Sequence, residues 1–126
     1  MARDWWQRGK AFDLWSIPHF LFGVLMGAIP QLVGVPLLTA FILTTVLAIL
    51  WEIFEKFIDV KESIQNILLD ISLPVFSFTL TSFIIFVYPI HTSDLTVVAS
   101  AVLFLYIFTN ISGWLAYRRR QRDFRG

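Results

Sequence analysis

Four long apolar stretches, separated by short polar ones, set the pattern of this chain. They run from about Ile17 to Val33, Pro36 to Phe57, Ile64 to Ile90 and Leu95 to Tyr117. A helix needs about 20 mainly apolar residues to cross roughly 30 Å of hydrocarbon, and each stretch has about that length or more. None alternates apolar and polar residues at period two, which argues against a transmembrane barrel. The pattern predicts an all-α fold, a four-transmembrane-helix bundle forming a single membrane domain over residues 1–126. The third stretch is longer than a crossing requires, so its start is expected to lie along the interface. The first has no small-residue cleavage site and reads as a retained span, not a signal peptide.

Turn and cap chemistry marks the boundaries. Ser16 ahead of Ile17-Pro18 is an expected N-cap, with proline in the first turn. Gly34 and Pro36 punctuate a tight first connection. Asp59-x-x-Glu62 has capping-box spacing, with Asp in the Ser/Thr place. It predicts a break near residues 57–60 and a new helix starting close to Lys61. Ser93 or Asp94 is the expected cap of the fourth helix. Residues 1–15 read as an amphipathic interfacial segment, and residues 118–126 as a polybasic tail that anionic lipid attracts.

Composition supports the membrane reading. The chain is 57% hydrophobic and 15% charged, with a mean hydropathy of +0.72. Soluble domains carry charge nearer a quarter of their residues. The absence of cysteine excludes disulfides, a thiolate nucleophile and Cys-ligated zinc or iron–sulfur sites. Membrane lipid is the expected partner, and no nucleic acid is.

The arrangement of charge predicts orientation. Arg3, Arg8 and Lys10 precede the first span, Lys56 and Lys61 flank the second connection, and Arg118, Arg119, Arg120, Arg122 and Arg125 follow the last. The other two connections, 31–35 and 91–94, contain no Lys or Arg. All ten basic residues therefore share one side, which predicts both termini cytoplasmic in a multi-pass protein of a bacterial or archaeal cytoplasmic (inner) membrane. Trp5, Trp6, Trp15, Trp51 and Trp114 map near that same boundary, where amphipathic rings favour the headgroups.

Against this apolar background, Glu52, Glu55, Asp59, Glu62, Asn66 and Asp70 recur at helical spacings of three and four. A carboxylate within a span is costly, so such residues face a bundle interior, pair, or serve a pathway. His19 belongs to the first helix, and Asp70, roughly 12–15 Å along the third, is the deepest of the set. Asn110 on the fourth helix is a further contributor. Crowded carboxylates in low dielectric must be protonated, paired with Lys56, Lys61 or His19, or share a cation.

Mainly oxygen donors with one imidazole suit magnesium or manganese, and admit zinc or iron through the histidine. The candidate ligands of a divalent metal ion (Mg, Mn or Zn) are His19, Glu52, Glu55, Glu62, Asn66 and Asp70; Glu52, Asp70 and His19 are the acid–base candidates. The Glu-x-x-His pairs of carboxylate-bridged helical bundles are missing. The plain alternative makes Glu55, Asp59, Lys61 and Glu62 a solvated connection, and His91 an exposed loop residue.

Two local features bear on this site. Gly23 and Gly27 follow His19 at successive steps of four, which predicts a helix-packing face of close backbone approach. That face also offers a docking surface for a homo-oligomer or a partner in a membrane complex. Pro74 gives no N–H to the Asp70 carbonyl, opening that turn beside a carboxylate. Ion translocation ranks last, because the opposite half offers only Gln31, hydroxyls such as Thr44, Thr79 and Ser82, and His91.

The segments Ser16-Ile-Pro-His-Phe-Leu-Phe-Gly, Trp51-Glu-Ile-Phe-Glu and Glu62-Ser-Ile-Gln-Asn-Ile-Leu-Leu-Asp stand in the order His…Trp-Glu-x-x-Glu…(Asp/Glu)-Ser-x-x-Asn-x-x-x-Asp. Over about Asp13 to Phe78 this resembles VanZ-like proteins and related uncharacterised bacterial families of small helical membrane proteins. The resemblance implies a compact helical membrane protein whose motif residues His19, Glu52, Glu55, Glu62, Ser63, Asn66 and Asp70 gather at one membrane face. Lys61 and the order Asn66-then-Asp70 depart from the VanZ arginine and its Asp-then-Asn order, so glycopeptide resistance does not carry over. The expected function is an acidic cytoplasmic-leaflet site acting on a lipid or lipid-linked substrate. The alternative is a non-enzymatic lipid-binding or accessory subunit of a larger complex.

Overall fold

The computed structural model describes residues 14–58 and 63–125, with side chains described to residue 120. Trp5, Trp6, Asp59, Lys61 and Glu62 lie outside the described residues. So do the capping box, most of the N-terminal interfacial segment, and Glu62 as a ligand. The described residues form four helices and no strand: α1 (Ser16–Val33), α2 (Leu37–Phe57), α3 (Ile64–Val87) and α4 (Thr92–Arg125). Each is long and apolar enough to cross a membrane, the architecture of a multi-pass membrane protein.

The ends of the helices follow from local chemistry, and several differ from the sequence reading. Gly34 closes α1 in the left-handed conformation (φ 82°), its N–H donating to the Pro30 carbonyl at 3.0 Å. Glycine adopts that φ without steric cost. Ser16 is the first helical residue, so the cap position falls to Trp15. Helix α3 starts at Ile64, where the Ser63 hydroxyl accepts from the Asn66 N–H at 3.1 Å. Serine suits this role, because its short side chain reaches the third amide of the helix.

From that cap α3 runs 24 residues without interruption through Pro74. It ends at Val87 and not at Ile90, since Pro89 disfavours helical backbone at Tyr88 (φ −122°, ψ 82°). Helix α4 begins at Thr92, placing Asp94 in its first turn, where a carboxylate opposes the positive end of the helix dipole. It continues for 34 residues to Arg125, making the polybasic tail an extension of the span. At 1.5 Å per residue α4 is about 50 Å long, roughly 20 Å more than the hydrocarbon it needs to cross.

Helix α1 is the hub. It packs most extensively on α3, then on α4, and more lightly on α2, while α2 packs mainly on α3. Small and polar residues fill the interior: Gly23, Gly27, Ala28, Ala40, Thr44, Ala48, Asn66 and Ser77 are buried, whereas Phe86 and Phe104 are 84% and 71% exposed. This distribution suits lipid surroundings, where large apolar side chains gain nothing by moving inward and small ones let helices approach.

The glycine pair accounts for the α1–α3 seam. A Cβ on Gly23 would land on the Ser77 hydroxyl and the Pro74 carbonyl, and one on Gly27 would sit 2.8 Å from Thr81 Cβ. The close-approach face read from the sequence is therefore occupied by α3 of the same chain, and a partner would have to dock elsewhere. At the other end of the bundle, Gln31 Nε2 donates to the Ile90 carbonyl at 2.7 Å, tying the end of α1 to the α3–α4 connection.

Candidate functional site

His19 lies in the first turn of α1, Glu52 near the end of α2 and Asp70 in the second turn of α3. The chain runs through α2 between α1 and α3, so those two helices leave the same end of the bundle in parallel. Steps of four along both helices then pair His19 with Asp70, Gly23 with Pro74 and Gly27 with Phe78. The glycine seam thus sets the distance at the polar site: His19 Nε2 lies 3.5 Å from Asp70 Oδ1.

Glu52 completes the group from α2. One donor atom from each of His19, Glu52 and Asp70 falls within 4.8 Å of the other two. Asp70 is 1% exposed, Glu52 7%, and the His19 side chain 11%. Two carboxylates and an imidazole are therefore held by three helices in a largely water-excluded place. A divalent cation bonds such donors at about 2.1 Å, so side-chain rotations of about 1 Å bring the trio into its reach. The donor set suits manganese, zinc or magnesium, and the cation would offset the two negative charges that burial disfavours.

The remaining candidates separate by position. Glu55, one turn beyond Glu52 on α2, is buried and not part of a solvated connection, and the Trp51 indole N–H donates to its Oε1 at 2.8 Å. Trp51 is thus tied to an acid as well as placed near the boundary. Asn66 is fully buried one turn before Asp70, at the capped start of α3. Glu55 does not join the three-donor group. Lys56 is exposed and lies outside it. Asn110 donates from Nδ2 to the Tyr106 carbonyl at 2.8 Å and faces a cavity shared with His19.

That cavity, about 220 Å³, was not anticipated from the sequence. Trp15 at the cap of α1, Phe22 on α1, Leu47 and Ala48 on α2, and Tyr106 on α4 line it beside His19 and Asn110. Part of the signal is local: Trp15 and Phe22 stand four before and three after His19, and Tyr106 four before Asn110, so each pair shares a helix face. Comparison of the chain with protein-family models, curated proteins and solved structures finds no match.

Proposed function

We propose that this protein is an integral membrane protein of the bacterial or archaeal cytoplasmic membrane, with both termini in the cytoplasm. In this reading His19, Glu52 and Asp70 hold a divalent cation at the cytoplasmic leaflet, for action on a lipid or lipid-linked substrate. The observation that carries it is the convergence of one imidazole and two carboxylates, from three separate helices, within 4.8 Å. A bound cation there would polarise a phosphoryl or carbonyl oxygen of a substrate arriving in the membrane plane. The one-sided distribution of Lys and Arg supports the orientation. The order of the His, Trp-Glu-x-x-Glu and Asn-x-x-x-Asp motifs supports a relationship to VanZ-like proteins.

Elemental analysis of the detergent-purified chain, with thermal unfolding in added manganese, zinc or magnesium, tests the proposal. The expected result is near one equivalent of metal and a raised unfolding temperature, both absent from Asp70→Asn. No bound metal and no response to any of the three ions would sink it. The 3.5 Å approach of His19 Nε2 to Asp70 Oδ1 favours a second reading, in which the acids form a paired structural network in a lipid-binding or accessory subunit. Glu52→Gln would then alter thermal stability and leave metal content at zero in both proteins.

A further inference from the structure

Helices α2 and α4 both pack on α1, yet among the described residues they make no backbone contact with each other. The gap between them is the mouth of the 220 Å³ cavity, with Pro18, His19 and Phe22 of α1 as its floor. A cavity of roughly 150 Å³ lined by apolar side chains already accommodates benzene, so this one has room for a segment of hydrocarbon.

The cleft is graded along its length. Trp15, Trp51 and Asn110 stand at the end nearest the start of α1 and the end of α2, and Phe22, Leu47 and Tyr106 at the deeper end. From Trp15 to Phe22 is about 10 Å along α1. His19 lies between the two ends and belongs to both the cleft and the three-donor group. Leu47 borders the mouth and is 43% exposed, so the opening faces sideways, where a bilayer would lie. Just past the polar end stand the exposed cations Lys56, Arg118 and Arg119. Positive charge at a headgroup level concentrates anionic lipid.

We infer that the cleft between α2 and α4 is a lateral portal for an anionic phospholipid, one of whose hydrocarbon chains lies along Phe22, Leu47 and Tyr106. The headgroup is then delivered to His19, Glu52 and Asp70. Delivery to a cation rests on the metal-site reading above, whereas the seating of the chain does not. The bilayer supplies the occupant at high local concentration, and the portal admits it without lifting it into water. The apolar walls read the chain, and the basic rim selects the headgroup.

Native mass spectrometry of the full chain in dodecyl maltoside, with added dioleoyl-phosphatidylglycerol, tests this. One lipid per chain should survive activation that strips the rest. Leu47→Trp fills the mouth from an exposed position that leaves the buried core alone, and should reduce retention by about tenfold, as expected for the loss of a few buried methylenes. Leu47→Ala, which leaves the mouth open, should retain clearly more lipid than Leu47→Trp, and the outward-facing control Phe104→Trp should match the wild type. Retention by Leu47→Trp at the wild-type level, equal loss in Phe104→Trp, or equal retention of dioleoyl-phosphatidylcholine would each overturn the portal.

Titration of the same proteins with manganese, zinc and magnesium separates the two readings. Lipid loss in Leu47→Trp with none of the three ions bound by any variant leaves the portal standing and removes the metal site. Manganese binding with undiminished lipid in Leu47→Trp does the reverse.

Discussion

The two sides of α1 are built differently. Towards α3, glycines at 23 and 27 bring the backbones together, Asn66, Asp70 and Ser77 are buried, and there is no space for a single added methyl at Gly23. Towards α4 and the upper part of α2, aromatic and branched side chains bound an open cleft, with a loose stack of Phe22 on Tyr106 at 6.1 Å. The contrast assigns different physical tasks. The seam holds His19 and Asp70 in register, which charged donors require because each is costly to bury out of place. The cleft gives access, which a close-packed interface would deny.

The sharpest way to break that contrast is Gly23→Leu. Its side chain would collide with the Ser77 hydroxyl and the Pro74 carbonyl, and the carbonyl cannot retreat without moving α3. A destabilisation of about 3 kcal/mol is expected from overpacking of this kind, read as a large fall in the thermal midpoint in detergent, with metal binding lost as His19 and Asp70 part. A near-wild-type midpoint would show the seam to be compliant. Next in size, His19→Ala should weaken manganese binding by about 100-fold in a calorimetric titration while unfolding close to the wild-type temperature, since removing a ligand costs at least as much as disturbing its support. Unchanged affinity would assign the ion elsewhere.

Ser63→Ala removes the cap of α3 and should cost about 1 kcal/mol, seen in thermal unfolding. Phe104→Ala, on the outward face of α4, should change stability by no more than about 0.5 kcal/mol, as expected for an exposed site touching no special feature. A larger loss there would mean that α4 has a protein neighbour and not lipid along that face.

The acids illustrate how far one-dimensional pattern reaches. Glu52 and Asp70 are flanked on both sides by apolar sequence, so their burial was legible before any fold was known. Glu55 lies at the end of a span, where solvation and burial were equally open. It is buried and accepts from the Trp51 indole one turn earlier, a contact that spacing permits but does not require. The cap of α3 shows a related limit. Asp59-x-x-Glu62 and Ser63-x-x-Asn66 both have cap-like spacing within a few residues, and Ser63 caps the helix.

Hydrophobic length and residue spacing are local properties, written into consecutive positions. They determined the four helices, the tight Gly34–Pro36 connection, the close-approach face of α1 and the identity of the polar residues on α2 and α3. Which faces meet is a property of pairs of helices far apart in the chain. Only the tertiary structure decided that α3, and not another molecule, covers Gly23 and Gly27. It likewise decided that donors of His19, Glu52 and Asp70 converge, and that α2 and α4 stand apart among the described residues. Each of these depends on the register and separation of packed rods, which no single helix encodes.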